Sequence, residues 1–280
     1  MRDAVGLPAS PRDIRPSHGA SRIARRALVA TAFNLLFEYA PRGINDLVSH
    51  PALPVSLFLL YFAYFLLVDE FVRARRAGAL AVASLGFAFG ALSALFLPGS
   101  MFQPKSPLGL NWGAFLFVNV VWWATLQGVL TMYGATRLIP RRTHEQGLKR
   151  WQLLGVLAWL LLVLLLFRSG VKTPNPIRPV AGLTVLLSGL AALWAALRLS
   201  RPELARAQAG YARPSRFLDG LLAATALVFV FCMLFLIHDP AQISIHRVNL
   251  TALRVVIVWT TALFLTIALW ILLTRRSIPV

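Results

Sequence analysis

This sequence contains almost no cysteine and few acidic residues. A single cysteine, Cys232, stands among 280 residues, which excludes an intrachain disulfide and a cysteine-rich metal site. Only 10 residues are Asp or Glu against 28 Lys or Arg, and charged residues make up 14% of the chain, where soluble domains carry roughly 25%. The cations stand in short clusters between long apolar runs, which argues against a disordered basic tail and against a nucleic-acid-binding domain.

Long apolar runs fill the space between these clusters. Hydrophobic residues make up 58% of the chain and the mean hydropathy is +0.69. Seven runs approach or exceed the roughly 20 residues that a helix needs to cross a bilayer, namely 52–68, 77–97, 112–135, 151–168, 179–197, 217–237 and 255–273. An eighth run, 24–45, is interrupted by Asn34, Glu38 and Pro41. We therefore predict an all-α polytopic integral membrane bundle of about eight transmembrane helices over residues 24–274. A basic tail (1–23) precedes it and a short tail (275–280) follows.

Charge asymmetry predicts the orientation of this bundle. With eight spans, 21 Lys and Arg residues fall on the side of the two termini and 7 on the other side. Because cytoplasmic loops carry the excess of Lys and Arg, both termini are expected in the cytoplasm, as in a multi-pass protein of the inner membrane of a prokaryote. If 24–45 did not span, the arginine-rich N-terminus would lie outside.

The first predicted span carries a polar stripe. Thr31, Asn34, Glu38 and Arg42 recur at three- and four-residue steps, which places them on one helix face. Glu38 is the only carboxylate well within a predicted span, and Arg42 is spaced to pair with it. Two interpretations stay open: an ion pair that fixes packing, or a ligand or proton-relay site.

Other polar and small residues within the spans predict packing. Asn119 and Gln127 lie eight residues apart on the fourth span, and hydrogen bonds between helices account for them. The third span carries small residues at helical spacing, which is typical of close helix contact; they are Ala79, Ala83, Gly86, Gly90 and Ala94.

Loops on the side opposite the termini combine isolated cations with acids, amides and histidines. Cations on this side are not explained by the rule that places Lys and Arg in the cytoplasm, so a phosphate or an anionic lipid headgroup is favoured as their ligand. The alternative is that these side chains extend to the membrane interface without binding a ligand. The candidate ligand-binding residues are Glu38, Arg42, Asp46, His50, Lys105, Asn111, His238, Asp239, His246 and Arg247.

Several kinds of chemistry are excluded or disfavoured. A retinal Schiff base needs a lysine within a span, but Lys105, Lys149 and Lys172 all lie in loops. A bis-histidine haem needs imidazoles inside the bundle, and all five histidines lie at or beyond predicted helix ends. No phosphate-binding glycine loop, nucleophile elbow or paired-carboxylate pattern is present. We expect no cofactor, and the absence of a complete catalytic constellation makes an enzyme the less favoured reading.

A zinc-dependent lipid hydrolase stays open as a minor alternative. Three imidazoles and a carboxylate can bind zinc and activate water, and His50, His238 and His246 fall on the same predicted side as Asp46 and Asp239. However, the last two histidines are eight residues apart in a proline-containing loop, which does not match the i,i+4 spacing that aims two imidazoles at one ion.

The segment from Asn34 to about Asn111 contains NLLFEYAPRG, then DLVSHPALPVSLFLLYFAYFLL, then a basic RARR turn. This order resembles the membrane region of lipoteichoic acid synthase-like proteins, which are phosphoglycerol transferases with a large extracytoplasmic sulfatase-type domain. Glu38, Arg42 and the His50–Pro51 pair match that region, and Lys105 with Asn111 matches it in part. Because the chain has no room for the catalytic domain, the resemblance implies only a membrane module that handles an anionic or polyprenyl-type lipid.

These observations predict a function without naming its ligand. The leading expectation is a multi-pass protein whose outer rim binds or presents an anionic lipid, or a separate extracytoplasmic enzyme, in cell-envelope assembly, with membrane lipids and not nucleic acid as partners. A small-solute transporter is the first alternative, although no second charge within a span and no inverted repeat supports it.

Overall fold

A computed structural model of the protein describes residues 19–96, 101–103, 105–142, 145–170, 177–200, 215–236, 248–274 and 278–280. Nine helices account for most of these residues: α1 (Gly19–Tyr39), α2 (Ile44–Ser49), α3 (Ala52–Arg75), α4 (Ala79–Ala94), α5 (Trp112–Leu138), α6 (Arg150–Gly170), α7 (Pro179–Leu199), α8 (Arg216–Phe235) and α9 (Leu250–Thr274). The described residues form no β-strand, and Phe102 and Leu110 pair in an isolated antiparallel bridge.

Six of these helices are long and apolar enough to cross a membrane, namely α3, α5, α6, α7, α8 and α9. The predicted all-α membrane bundle is therefore confirmed. Helix α4 is apolar but has only 16 residues, and α1 is not among the six because its charged and amide residues lower its hydropathy. The count of eight spans and the cytoplasmic termini stay predictions.

The interior of the bundle is formed by α1, α3, α4 and α5. Helix α1 packs on α3 and on the last turns of α5, while α4 lies between α5 and α7. Helix α6 contacts α3, and α8 lies against α1 and α9. The peripheral helices α6 to α9 leave large apolar side chains exposed, as expected of surfaces that face lipid.

Close contact between α4 and α5 depends on glycine. A Cβ atom on Gly86 would lie 2.5 Å from the carbonyl oxygen of Trp123, and one on Gly90 would lie 2.6 Å from Oδ1 of Asn119. The predicted role of the small-residue stripe in tight packing is therefore confirmed. Residues 117–130 of α5 form a π-helix, a rare conformation that is often found near functional sites.

Candidate binding site at the Arg42 end

Helix α1 runs from one end of the bundle to the other and carries polar side chains at both. Arg26 lies near its start, and Arg42 follows its last residue, Tyr39. We call these two ends of the bundle the Arg26 end and the Arg42 end. The charge asymmetry of the sequence predicts that the Arg26 end faces the cytoplasm.

Glu38 lies at the meeting point of three helices near the Arg42 end. Its Oε1 atom accepts a hydrogen bond from the Tyr61 hydroxyl of α3 at 2.7 Å and one from Nε2 of Gln127 of α5 at 3.2 Å. Both donors are neutral. The carboxylate is therefore held in place by α3 and α5 without requiring a cation for these two bonds.

Arg42 stands just beyond the end of α1. The amides of Arg42 and Gly43 both donate to the carbonyl of Tyr39, and Gly43 has a φ of 82°, so the chain turns immediately after the helix, where Pro41 supplies no N–H for another helical bond. Nη2 of Arg42 is 4.0 Å from Oε2 of Glu38. The predicted pair forms, but at a longer distance than a hydrogen bond.

Asp46 and His50 form a second pair on the short helix α2. Nδ1 of His50 lies 3.1 Å from Oδ1 of Asp46, and the histidine ring is about half exposed. The start of α9 is tied to the same region, because the amide of Asn249 donates to the carbonyl of Pro41 at 2.8 Å. The structure thus gathers Glu38, Arg42, Asp46 and His50 around one turn of the chain.

The predicted stripe on α1 faces the interior. Thr31 and Asn34 are fully buried, and Oδ1 of Asn34 accepts a hydrogen bond from the Thr131 hydroxyl of α5 at 3.3 Å. Together with the Gln127–Glu38 bond, this contact ties α1 to α5 twice. The amide nitrogen of Asn34 and the amide oxygen of Gln127 have no hydrogen-bond partner among the described residues.

Lys105 and Asn111 lie on the connection between α4 and α5, apart from the Glu38 turn. Lys105 is exposed, and Oδ1 of Asn111 accepts a hydrogen bond from the amide of Ala114 at 3.2 Å, which caps the start of α5. The connection packs against the start of α7, where Gly109 approaches Ala181. The side-chain oxygen of Asn111 therefore has a structural role, which the sequence analysis did not anticipate.

The remaining candidate residues, His238, Asp239, His246 and Arg247, lie outside the described residues. Within the part of the chain that is described, no group of three or more His, Cys, Asp or Glu residues could hold a metal ion. The described residues therefore give no support to the zinc hydrolase alternative.

The sequence analysis missed a charge network at the Arg26 end. Arg26 donates from Nε to Oδ1 of Asp69 at 3.1 Å and from Nη1 to Oε1 of Glu145 at 2.9 Å, and Nη2 of Arg141 lies 2.6 Å from Oδ1 of Asp69. Both Arg26 and Asp69 are 0% exposed. The sequence analysis uses the arginines of this end only to predict the orientation of the bundle. The signal was the scarcity of acids: of only ten in the chain, two adjacent ones, Asp69 and Glu70, directly follow the predicted span 52–68.

Charge within this network shifts the proton affinity of Glu145. Burial alone would raise the pKa of Glu145, but hydrogen bonds and the positive charge of Arg26 outweigh it and hold the pKa below its ordinary value. Burial lowers the pKa of Arg141, in opposition to the charge of Asp69. The carboxylate of Glu145 is therefore stabilised in its ionised form.

A second charge contact at this end joins α5 to α8. Arg137 donates from Nε and Nη2 to the two oxygens of Asp219, at 2.9 and 2.8 Å, and the hydroxyl of Tyr133 donates to the same carboxylate. A two-point contact of this kind orients both groups. Because the arginine and the carboxylate are partly exposed, the contact adds less to stability than the buried network.

The fold defines an all-helical protein with six helices suited to crossing a membrane. No family model, no curated protein and no solved structure matches this chain. The resemblance to the membrane region of lipoteichoic acid synthase-like proteins stays a prediction.

Proposed function

We propose that this multi-pass membrane protein binds an anionic lipid headgroup at the Arg42 end of α1. The observation that carries the proposal is the way Glu38 is held. Its two hydrogen bonds from α3 and α5 come from the neutral side chains of Tyr61 and Gln127. Arg42 lies 4.0 Å away, at a turn where the Glu38 and Arg42 side chains are about a fifth exposed. A guanidinium placed in this way suits a phosphate group, which it binds through two parallel hydrogen bonds.

Neighbouring side chains supply the rest of the headgroup chemistry. His50 is exposed beside Asp46 and donates a hydrogen bond to a phosphate oxygen, most strongly when protonated. The carboxylate of Asp46 accepts hydrogen bonds from a hydroxyl or amine of the headgroup. Lys105, on the α4–α5 connection at the same end of the bundle but apart from this turn, offers a second cation.

The proposal includes the topology and the cellular setting. Helix α1 has 21 residues, which at 1.5 Å per residue is about 30 Å and matches the hydrocarbon core of a bilayer. We propose that α1 and α4 also span, that both termini are cytoplasmic, and that the Arg42 end faces the outer leaflet of a prokaryotic inner membrane. There the protein presents the bound lipid to a separate extracytoplasmic enzyme in envelope assembly.

Lipid retention tests the proposal directly. The protein is placed in nanodiscs that contain equal amounts of phosphatidylcholine and an anionic phospholipid, and the lipids that remain bound are counted by native mass spectrometry. We expect Arg42→Gln to lower retention of the anionic lipid several-fold, since one charge-assisted phosphate contact contributes about 1.5–3 kcal/mol. The matched control is Lys149→Gln, which removes an exposed cation at the opposite end. Equal retention in the two variants would reject the proposed site.

Passage of a small polar solute is the second candidate function. It is favoured by the polar stripe of α1, in which Thr31 and Asn34 are fully buried in the interior and Glu38 is partly exposed near the Arg42 end. Vesicle swelling in glycerol or urea measures such passage. We expect Asn34→Leu to abolish any swelling that the wild-type protein supports. Swelling no faster than in protein-free vesicles would discard this candidate.

A further inference from the structure

The two carboxylate oxygens of Glu38 have different surroundings. Oε1 accepts two hydrogen bonds, one from the hydroxyl of Tyr61 on α3 and one from Nε2 of Gln127 on α5. Oε2 is the oxygen nearer to Arg42, at 4.0 Å from Nη2. The carboxylate is therefore anchored to the bundle through one oxygen, and its other oxygen lies beside the turn that follows α1.

The two donors that anchor Glu38 are themselves fixed by packing. Tyr61 is buried, and its ring packs against that of Trp123 with 5.9 Å between the ring centroids. Gln127 is fully buried in the π-helical part of α5. Because closely packed side chains are held in place by their neighbours, the carboxylate cannot move away from Arg42 without losing these two bonds.

The negative charge of Glu38 is compensated only in part. Among the described residues, Arg42 is the only cation within 4.0 Å of this carboxylate. That distance is longer than a hydrogen bond, and two neutral donors do not cancel a full charge. A fixed anion therefore stands next to the guanidinium that we propose as the phosphate ligand.

A phosphate bound to Arg42 has to share the guanidinium with Glu38. A phosphate oxygen that accepts a hydrogen bond from Nη2 lies about 2.8 Å from this nitrogen. Since Oε2 of Glu38 is 4.0 Å from the same atom, the phosphate oxygen lies no farther than about 7 Å from Oε2, whatever the angle between them. At such a distance two like charges repel each other, and the repulsion is stronger beside protein than in bulk water.

The charge on the phosphate decides how much of this repulsion it meets. A second negative charge on the phosphate is attracted by Arg42 and repelled by Glu38, so the pair as a whole offers it little net attraction. The cost of removing an ion from water, however, rises steeply with its charge. A phosphate with two negative charges therefore loses more on leaving water than it gains at this turn.

We propose that Glu38 makes this site selective for a phosphate with one negative charge, as in a phosphodiester headgroup, over a phosphate with two, as in a phosphomonoester. This inference rests on the proposed binding of a lipid headgroup at Arg42, and it adds the charge that the headgroup carries. Glu38 is the specificity-determining residue, and Tyr61 and Gln127 are the positioning residues that keep its carboxylate beside Arg42.

A matched pair of lipids tests the selectivity. Phosphatidylmethanol and phosphatidic acid with the same acyl chains differ by one methyl group, and at about pH 8 only phosphatidic acid carries a second negative charge, since the second pKa of a phosphomonoester is about 6. The protein is placed in phosphatidylcholine nanodiscs that contain equal amounts of the two lipids, and the bound lipids are counted by native mass spectrometry. We expect the wild-type protein to retain at least about five times more phosphatidylmethanol.

Three variants assign the selectivity to the charge of Glu38. Glu38→Gln removes the charge but keeps an oxygen that accepts hydrogen bonds from Tyr61 and Gln127, and it should shift the lipid ratio at least about fivefold towards phosphatidic acid. Glu38→Asp keeps the charge and should keep the preference for phosphatidylmethanol. The matched control is Asp219→Asn, which removes a partly exposed carboxylate at the Arg26 end and should leave the ratio unchanged.

The outcomes separate this inference from the site on which it rests. Equal retention of the two lipids by the wild-type protein would overturn the selectivity, and this comparison needs no variant to fold. An unchanged ratio in Glu38→Gln would overturn the role of Glu38. In both cases lipid binding at Arg42 stands if Arg42→Gln lowers the retention of both lipids. If Arg42→Gln retains both lipids as the wild-type protein does, the binding site and its selectivity are rejected together.

Discussion

The two ends of α1 hold their charges in opposite ways. At the Arg26 end, an arginine and an aspartate are fully buried with donor–acceptor distances near 3 Å. At the Arg42 end, the corresponding pair is 4.0 Å apart and partly exposed, and neutral donors hold the glutamate. Buried pairs of this kind fix geometry and are costly to break, whereas partly exposed pairs contribute little to stability. The contrast separates an end whose charges are fixed by burial from the end at which we propose lipid binding.

The largest effect is expected from Arg26→Gln. This change strands Asp69 and Glu145 without their shared cation, and we expect a loss of about 3–5 kcal/mol in the free energy of unfolding. Denaturant titration of the purified protein in detergent measures the loss. Arg25→Gln is the control, since Arg25 is the exposed neighbour and surface changes stay within about 0.5 kcal/mol. Equal losses in the two variants would remove the distinction between buried and exposed cations.

A smaller effect is expected from adding one methyl group at Gly147, in the connection between α5 and α6. Gly147→Ala places a Cβ atom against the guanidinium of Arg73. Because that group is the far end of a flexible side chain, it can move aside, and the cost is the loss of its partly exposed ion pair with Glu70, about 1 kcal/mol or less. Gly155→Ala is the matched control in α6, where no atom lies within 4 Å of the added carbon, and it should be neutral or stabilising by up to about 1 kcal/mol. Melting temperatures of the two variants give the comparison. A Gly147→Ala protein as stable as the control would show that the contact between Gly147 and Arg73 of α3 does not contribute to stability.

Acid should weaken the Arg26 end through Glu145. Because the folded protein lowers the pKa of Glu145 below its ordinary value of 4.5, the ionised carboxylate contributes stability that is complete above that value and is lost as the pH falls through the lower folded pKa. We expect the melting temperature of the wild-type protein to fall more steeply than that of Glu145→Gln between about pH 6 and about pH 3, the range in which carboxylates titrate. Parallel pH profiles would mean that Glu145 is not coupled to folding.

The smallest effect is expected at the Arg42 end. A double-mutant cycle of Glu38→Gln and Arg42→Gln should give a coupling energy below about 1 kcal/mol, as for partly exposed ion pairs. Urea titration in detergent provides the four unfolding free energies. A coupling energy as large as the 3–5 kcal/mol loss expected for Arg26→Gln (about that size for a buried pair) would mean that the Arg42 end is structural as well. It would count against the proposed lipid site.

Parts of the candidate site were predictable because they depend on local spacing. Glu38 and Arg42 are four residues apart, so their nearness follows from helix geometry whatever surrounds them. The inward orientation of Asn34 follows from the cost of an amide in lipid. The partners of Glu38 were not predictable in the same way, since Tyr61 and Gln127 belong to other helices and meet it only through the packing of α1, α3 and α5.

By itself, the sequence determined the helical membrane class, the approximate extent of the apolar helices and the polar face of α1. These properties depend on hydropathy and on a 3.6-residue period, which short stretches of chain carry independently. Only the tertiary structure decided that Glu145 reaches Arg26 across 119 positions of sequence, and that Asn111 caps a helix. A buried ion pair depends on which helix ends become neighbours, and that depends on the packing of the whole bundle.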